Sequence, residues 1–301
     1  MFKQTLLVTG VALAVSAAAQ AQEQAKQDAI VTGDKFVDTY RWEIDAAASR
    51  TNIDPGPDDG DVDKYGIGGT FYFNDVDTTK GPRSEAAFLD HASNVSVGYI
   101  YTDADDIVED LDGDEYGVSG RYVLGLDSIP LIFEGKWTRQ TPDFSDIDKY
   151  TLGFGAYLTD ATTIVLSYST SDVDETNDID PGDIDLWEIR AKHIWVLDQG
   201  GIELEGFYGI LDVDCDDCDD PDAYGIEGTW YVTNDLGFGV GLGKEDTFGI
   251  DSDIYSANVE WFVTPHIGLS LAYEYKETDA VLNQKDDTEF NAVLLGARFR
   301  F

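Results

Sequence analysis

Few side chains in this sequence have the types and spacing that covalent chemistry needs. A general base is usually a histidine within reach of a nucleophile or carboxylate. The chain has three histidines. His91 sits in a connecting segment and His266 in the turn Thr264-Pro265-His266. His193 shares an apolar face with Trp187, Ile189 and Trp195. Nothing brings them together, so no enzyme is expected. Cys215-Asp216-Asp217-Cys218 has Asp219 where haem attachment requires histidine, and it lacks the further ligands of a zinc site. In an exported chain, a local Cys215–Cys218 disulfide is the leading reading. Asp58-Asp59-Gly60-Asp61-Val62-Asp63 and Asp110-Leu111-Asp112-Gly113-Asp114-Glu115 look like calcium loops. Neither has the twelve-residue spacing that ends in a bidentate glutamate. No dedicated cofactor or metal site is expected; the loops are read as a solvated rim with, at most, weak divalent-cation binding.

A second set of residues could do electrostatic work instead. Arg41, Lys64, Arg121, Lys136, Arg190, Lys192, Arg298 and Arg300 alternate with apolar neighbours, as do Glu43, Asp45, Glu134, Glu188, Glu203, Glu205, Glu227, Glu260 and Glu274. So many charges on one face cannot sit in a dry core unless nearly all are paired. A water-filled lumen accommodates them, and these residues are the expected pore lining.

The elements that would position them are strands. From Tyr40 onward the chain repeats a unit of roughly 35 residues, the mark of a repeated supersecondary unit. Its descending half reads Asp63-Lys64-Tyr65-Gly66-Ile67, then Asp114-Glu115-Tyr116-Gly117-Val118, and later Asp222-Ala223-Tyr224-Gly225-Ile226. Within each unit the period is two: Tyr65, Ile67, Gly69, Phe71 and Phe73 oppose Lys64, Gly66, Gly68, Thr70 and Tyr72. Alternation over about ten residues between turns is the pattern of a transmembrane β-barrel strand. Fourteen such segments centre near residues 44, 69, 98, 120, 135, 154, 166, 191, 206, 228, 239, 259, 271 and 296. The expected fold is therefore all-β, an antiparallel transmembrane barrel of about 14 strands, with 12 or 16 left open. A soluble sandwich is the rival, but Tyr65, Tyr150, Trp195, Tyr224 and Tyr255 fall near strand ends, as interface girdles do.

The ends of the chain agree. Lys3, the apolar run Leu6 to Val15 and Ala19-Gln20-Ala21 read as a secretory signal over residues 1–21. Residues 22–38 are expected to be a periplasmic segment and 39–301 the barrel. Long acidic connections alternate with short turns such as Thr159-Asp160-Ala161 and Thr233-Asn234-Asp235. Long loops belong outside and short turns in the periplasm, which places both termini in the periplasm. The net charge of −41 excludes nucleic acid as a partner. The expected partners are outer-membrane lipid, lipopolysaccharide and the barrel-assembly machinery, with the oligomeric state open.

Two stretches carry a resemblance. Gly296-Ala297-Arg298-Phe299-Arg300-Phe301 resembles the C-terminal signal, Gly-x-x-aromatic-x-aromatic, by which bacterial outer-membrane proteins are recognised for insertion; Gly296, Phe299 and Phe301 carry it. The block Gly69-Thr70-Phe71-Tyr72-Phe73-Asn74-Asp75-Val76-Asp77-Thr78-Thr79-Lys80-Gly81-Pro82, running on to Ser84-Glu85-Ala86-Ala87-Phe88-Leu89, resembles the porins of proteobacterial outer membranes. The resemblance implies an outer-membrane channel and brings no substrate with it. Residues 74–93 form an unusually long connection, in which Ser84 is expected to cap a short helix carrying Phe88 and Leu89; a turn insertion, a plug or a docking element all fit it. The functional expectation is a passive diffusion channel for ions and small hydrophilic solutes, with modest cation preference from its acidic mouth. The alternative is a non-conducting structural or adhesive barrel.

Overall fold

The computed structural model describes residues 39–54, 60–105, 112–126, 129–142, 146–173, 184–213, 221–247, 250–279 and 288–301. The signal segment, the 22–38 segment, the Cys215–Cys218 pair and the first two residues of each calcium-like loop (58–59 and 110–111) lie outside these residues.

Alternation of small or polar residues with large apolar ones makes each segment a strand with two unlike faces. The strands are β1 (Thr39–Asp54), β2 (Gly60–Asp77), β3 (Asn94–Asp105), β4 (Gly113–Leu124), β5 (Leu131–Pro142), β6 (Ile147–Thr159) and β7 (Thr162–Val173). They continue as β8 (Ile184–Val196), β9 (Gly201–Val213), β10 (Asp222–Thr233), β11 (Leu236–Thr247), β12 (Ile250–Thr264), β13 (Ile267–Thr278) and β14 (Thr288–Arg300). Each of the fourteen centres expected from the repeat falls inside one strand. Neighbours in sequence pair antiparallel, and β14 pairs with β1, so the 14-stranded sheet closes into a barrel. Closure removes the exposed edges that an open sheet would present.

The seam is made by the last residues. Phe301 O accepts from Arg41 N at 2.7 Å and from Trp42 N at 3.1 Å, and Phe301 N donates to Trp42 O. Phe299 is buried, flanked in register by Ile44 and Ile267. The outside of the barrel carries an apolar band that includes Ile67, Val97, Leu152, Leu166, Ile226 and Leu271, all exposed. Trp42, Tyr122, Trp195 and Trp230 rim it at one end, Tyr99, Tyr150, Trp187 and Tyr224 at the other. An apolar belt between aromatic girdles is what a bilayer selects on a barrel surface.

The six connections β2–β3, β4–β5, β6–β7, β8–β9, β10–β11 and β12–β13 lie at one end, called here the turn end, together with Thr39 and Phe301. Five are short. The sixth, residues 78–93, holds a 3-10 turn (Arg83–Glu85) and one turn of helix, α1 (Ala86–Leu89). The short helix carrying Phe88 and Leu89 is present, but Ser84 does not cap it. Ser84 lies within the 3-10 turn, where Glu85 N donates to Pro82 O, and the helix N-cap is Glu85, with no side-chain cap bond. At its other end α1 stops in a Schellman motif: His91 N donates to Phe88 O and Ala92 N to Ala87 O, with His91 at φ 51°. That left-handed conformation strains a non-glycine residue. It is held by His91 Nε2 3.0 Å from Asp160 O and by stacking of the ring 3.8 Å from Tyr157.

The 78–93 segment does not project away from the barrel. Phe88 and Leu89 pack on Ile132, Tyr157, Val165 and Ile194, which belong to β5 to β8. Ala86 packs with Tyr40, Tyr72 and Val76 of β1 and β2. Arg300 of β14 donates to Arg83 O at 2.7 Å. In a closed ring of fourteen, β7 and β14 stand opposite each other, so the segment bridges the barrel across its turn-end mouth.

Candidate functional site: the charged lumen and the segment across its mouth

The inward rows of the strands build a ladder of charges. On β1 and β14, Glu43 accepts from Arg300 Nε at 2.7 Å and Asp45 from Arg298 Nε at 2.8 Å. The first pair is enclosed, with Glu43 5% and Arg300 3% exposed. The guanidinium of Arg300 also lies 4.4 Å from the Tyr40 ring and 4.5 Å from that of Phe262. Aromatic faces replace part of the hydration that burial removes.

On the opposite side, Glu134 of β5 joins Arg121 of β4 (3.4 Å) to Arg190 of β8 (3.0 Å). Lys192 Nζ lies 2.7 Å from Glu203, 2.8 Å from Glu85 and 3.6 Å from Glu205. Tyr231 Oη completes this cluster, 2.8 Å from Glu203 and 3.2 Å from Glu85. Glu85 belongs to the segment across the mouth, so the cluster fastens that segment to β8, β9 and β10. Burial pushes the Glu85 carboxyl up to about 7, opposed by Lys192 and reinforced by Glu203. Arg83 adds a second tie, to Asp235 in the β10–β11 turn, where its backbone N also donates to Asn234 O at 2.8 Å.

The remaining expected residues divide in two. Glu227 accepts from Asn258 Nδ2 at 2.6 Å. Lys136, Glu188, Glu260 and Glu274 lie in inward rows and form no ion pair or hydrogen bond among the described residues. Arg41 departs from the expected lining. A β-bulge between Tyr40 and Trp42 breaks the alternation, so Tyr40 takes the inward place. Arg41 is exposed at the rim, donating to Phe73 O at 3.0 Å and pairing with Asp75 at 2.8 Å. At Gly296 a Cβ would press on Ser270 Oγ, a contact that rotation of the serine side chain relieves.

Reading the sequence missed Glu85, Tyr231 and Lys149. Lys149 was recoverable, since strict alternation from exposed Tyr150 turns it inward. Glu85 was not, because no period governs a segment outside the strands. The histidines stay apart: His91 under Tyr157, His193 beside Trp195 (4.2 Å between rings), His266 in the β12–β13 turn.

A closed antiparallel barrel with a lipid-compatible exterior and a charged interior defines the outer-membrane porins as a class. Residues 44–194 match the family described as "Putative general bacterial porin", and the chain belongs to that family. Its fold is similar to that of the Acinetobacter baumannii outer membrane protein Omp33, with 23% identity over 88% of this chain and 100% of that one and a TM-score of 0.61. Outer-membrane expressed OmpT of Vibrio cholerae aligns at 12% identity over 86% and 97% of the two chains, with a TM-score of 0.43. No match was found among curated protein sequences. Family and fold are those of an outer-membrane channel rather than an enzyme.

Proposed function

We propose that this barrel is a passive diffusion channel for ions and small hydrophilic solutes with a modest preference for cations, its turn end and both termini facing the periplasm. The carrying observation is the lumen. Two walls of ion-paired side chains leave Lys136, Glu188, Glu260 and Glu274 with no ion pair or hydrogen bond among the described residues, and charges in that state need water. The cation preference follows from charge: the chain carries 60 acidic against 19 basic side chains. At the end opposite the turns, Asp63, Asp103, Asp114, Asp148 and Asp222 stand close to the loops. Such a mouth concentrates cations and depletes anions. Reversal potentials of the reconstituted protein across a tenfold KCl gradient test this. The expected value lies on the potassium side of zero; a value on the chloride side refutes the preference.

A second reading has one specific observation in its favour. The 78–93 segment bridges the turn-end mouth, as a barrel that is closed at rest would require. Discrete conductance steps in planar bilayers support the channel reading. A barrel that stays silent while correctly folded favours the closed one.

A further inference from the structure

The unpaired charges of the lumen are not scattered. Lys136 and Lys149 stand on neighbouring strands, β5 and β6, both turned inward. Lys136 pairs in register with Thr151 and Lys149 with Thr138, so the two lysines are diagonal neighbours. Diagonal positions are about 7–8 Å apart, close enough for two long side chains to meet one ligand. Both lysines are exposed, and neither has an ion pair or hydrogen bond among the described residues. They line a recess of about 340 Å³ with the hydroxyls of Ser119, Ser167 and Ser169. Glu188 of β8 lines the same recess and is likewise unpaired. Two strand spacings, about 10 Å, separate β6 from β8, a gap that the long lysine stem largely covers.

Two free lysines side by side are anomalous in a chain of net charge −41. Every other inward basic side chain on β4 to β8 has a carboxylate partner: Arg121, Arg190 and Lys192 each sit beside a glutamate. Glu205 and Glu227, which could have neutralised a lysine, lie on β9 and β10 and are engaged there by Lys192 and Asn258. The other unpaired carboxylates, Glu260 and Glu274, are on β12 and β13. In a closed 14-stranded ring these are the strands opposite β5 and β6.

We infer that the Lys136–Lys149 recess is a carboxylate-binding subsite in the channel wall, and that the solutes it favours are small zwitterions of the amino-acid type. The solute carboxylate lies between the two ammonium groups, which donate to it. Its own ammonium faces Glu188. Free carboxylate anions meet the same lysines but must first cross the acidic mouth, which repels them. A zwitterion carries no net charge and is not repelled. Exposed charge pairs are weak, so the solute is held briefly and released, as conduction requires. This inference rests on the diffusion-channel reading for transport but not for binding.

The test uses three solutes of nearly equal size: alanine (zwitterion), lactamide (uncharged) and lactate (anion). Saturation-transfer NMR on the detergent-solubilised full chain reads binding without needing an open path. Alanine is expected to bind, with its signal falling at least fivefold in Lys136→Gln/Lys149→Gln and persisting in Lys136→Arg/Lys149→Arg. Equal alanine signals in wild type and the glutamine variant, or lactamide binding as strongly as alanine, overturn the subsite. Swelling of proteoliposomes then reads transport: alanine is expected to enter about threefold faster than lactamide, with lactate slowest, and the glutamine variant to bring alanine down to the lactamide rate. Binding without swelling by any of the three solutes sinks the diffusion reading and leaves the subsite standing. Swelling with no lysine-dependent alanine preference refutes the role in selectivity.

Discussion

Lys192 Nζ stands 2.8 Å from Glu85 Oε2, joining a strand of the barrel wall to the segment that crosses the mouth. The same ammonium lies 2.7 Å from Glu203 and 3.6 Å from Glu205. One cation therefore holds three carboxylates together, one of them on the segment across the mouth.

Replacing Lys192 by methionine keeps the stem and removes the charge. Three carboxylates are left facing one another, and an uncompensated buried charge costs about 3–5 kcal/mol. The strand ladder does not pass through this side chain, so the penalty falls on the docked segment. The expected result is at least a hundredfold shift toward the released segment, read as faster proteolysis within 78–93 and a larger mean conductance. An unchanged proteolysis rate would show that the cluster is not the latch.

Docking should also depend on pH. The buried Glu85 carboxyl, at about 7, is faced by Lys192 of β8, Glu203 of β9, Tyr231 of β10 and Glu260 of β12. Its ordinary value is 4.5, so the docked form holds a proton that the released form gives up. This contribution to docking is complete below about pH 4.5 and is lost as pH rises through about 7. Proteolysis of the segment is therefore expected to be slower at pH 5.5 than at pH 8. Glu85→Gln, which mimics the protonated acid, is expected to remove the difference.

Phe88 anchors the segment through apolar packing on Tyr157, Ile132 and Ile194. Truncating a buried phenylalanine to alanine costs about 3–5 kcal/mol. Here the loss should appear as undocking, with far-UV circular dichroism of the barrel unaltered because no ladder bond is broken. Loss of β-structure in Phe88→Ala would mean the segment is needed to close the barrel.

At the seam, Arg300→Ala leaves the enclosed Glu43 only Arg298, 3.5 Å from its Oε1, which strands part of its charge and costs less than the roughly 3–5 kcal/mol of a wholly uncompensated one. A lower urea midpoint is expected. The double variant Glu43→Gln/Arg300→Ala should recover part of it, since the stranded charge is gone. No recovery in the double variant would assign the loss to packing of Arg300 on Tyr40 and Phe262.

The proposed cation preference should weaken with salt. At 1 M the Debye length shrinks to about 3 Å, against about 10 Å at 0.1 M. Selectivity set by the acidic mouth is then expected to approach unity, measured as reversal potentials at constant concentration ratio. A ratio that does not change with salt would place the filter in a narrow contact site instead.

What the sequence determined by itself was everything carried by a period of two. Tyr65 and Ile67 outward, Lys64 and Gly66 inward, repeated to Phe301, specify strands, their approximate number and the charge of the inner face, because a strand sorts neighbouring residues to opposite sides. The family block around Gly69 and the terminal Phe299-Arg300-Phe301 added the class. Arg41 was misjudged because a bulge in the β1–β2 pairing shifts the alternation by one residue, and a bulge is set by the register against the neighbouring strand. Only the tertiary structure decided that Glu85 meets Lys192 and Tyr231, that Phe88 lands on Tyr157, and that the 78–93 segment lies across the mouth. Those residues are far apart in the chain and one partner of each pair sits in a non-repeating segment. Their meeting depends on the closed ring, which brings every wall within reach of one mouth. The local β5–β6 register sets Lys136 beside Lys149, and closure turns them toward the strands that carry Glu260 and Glu274.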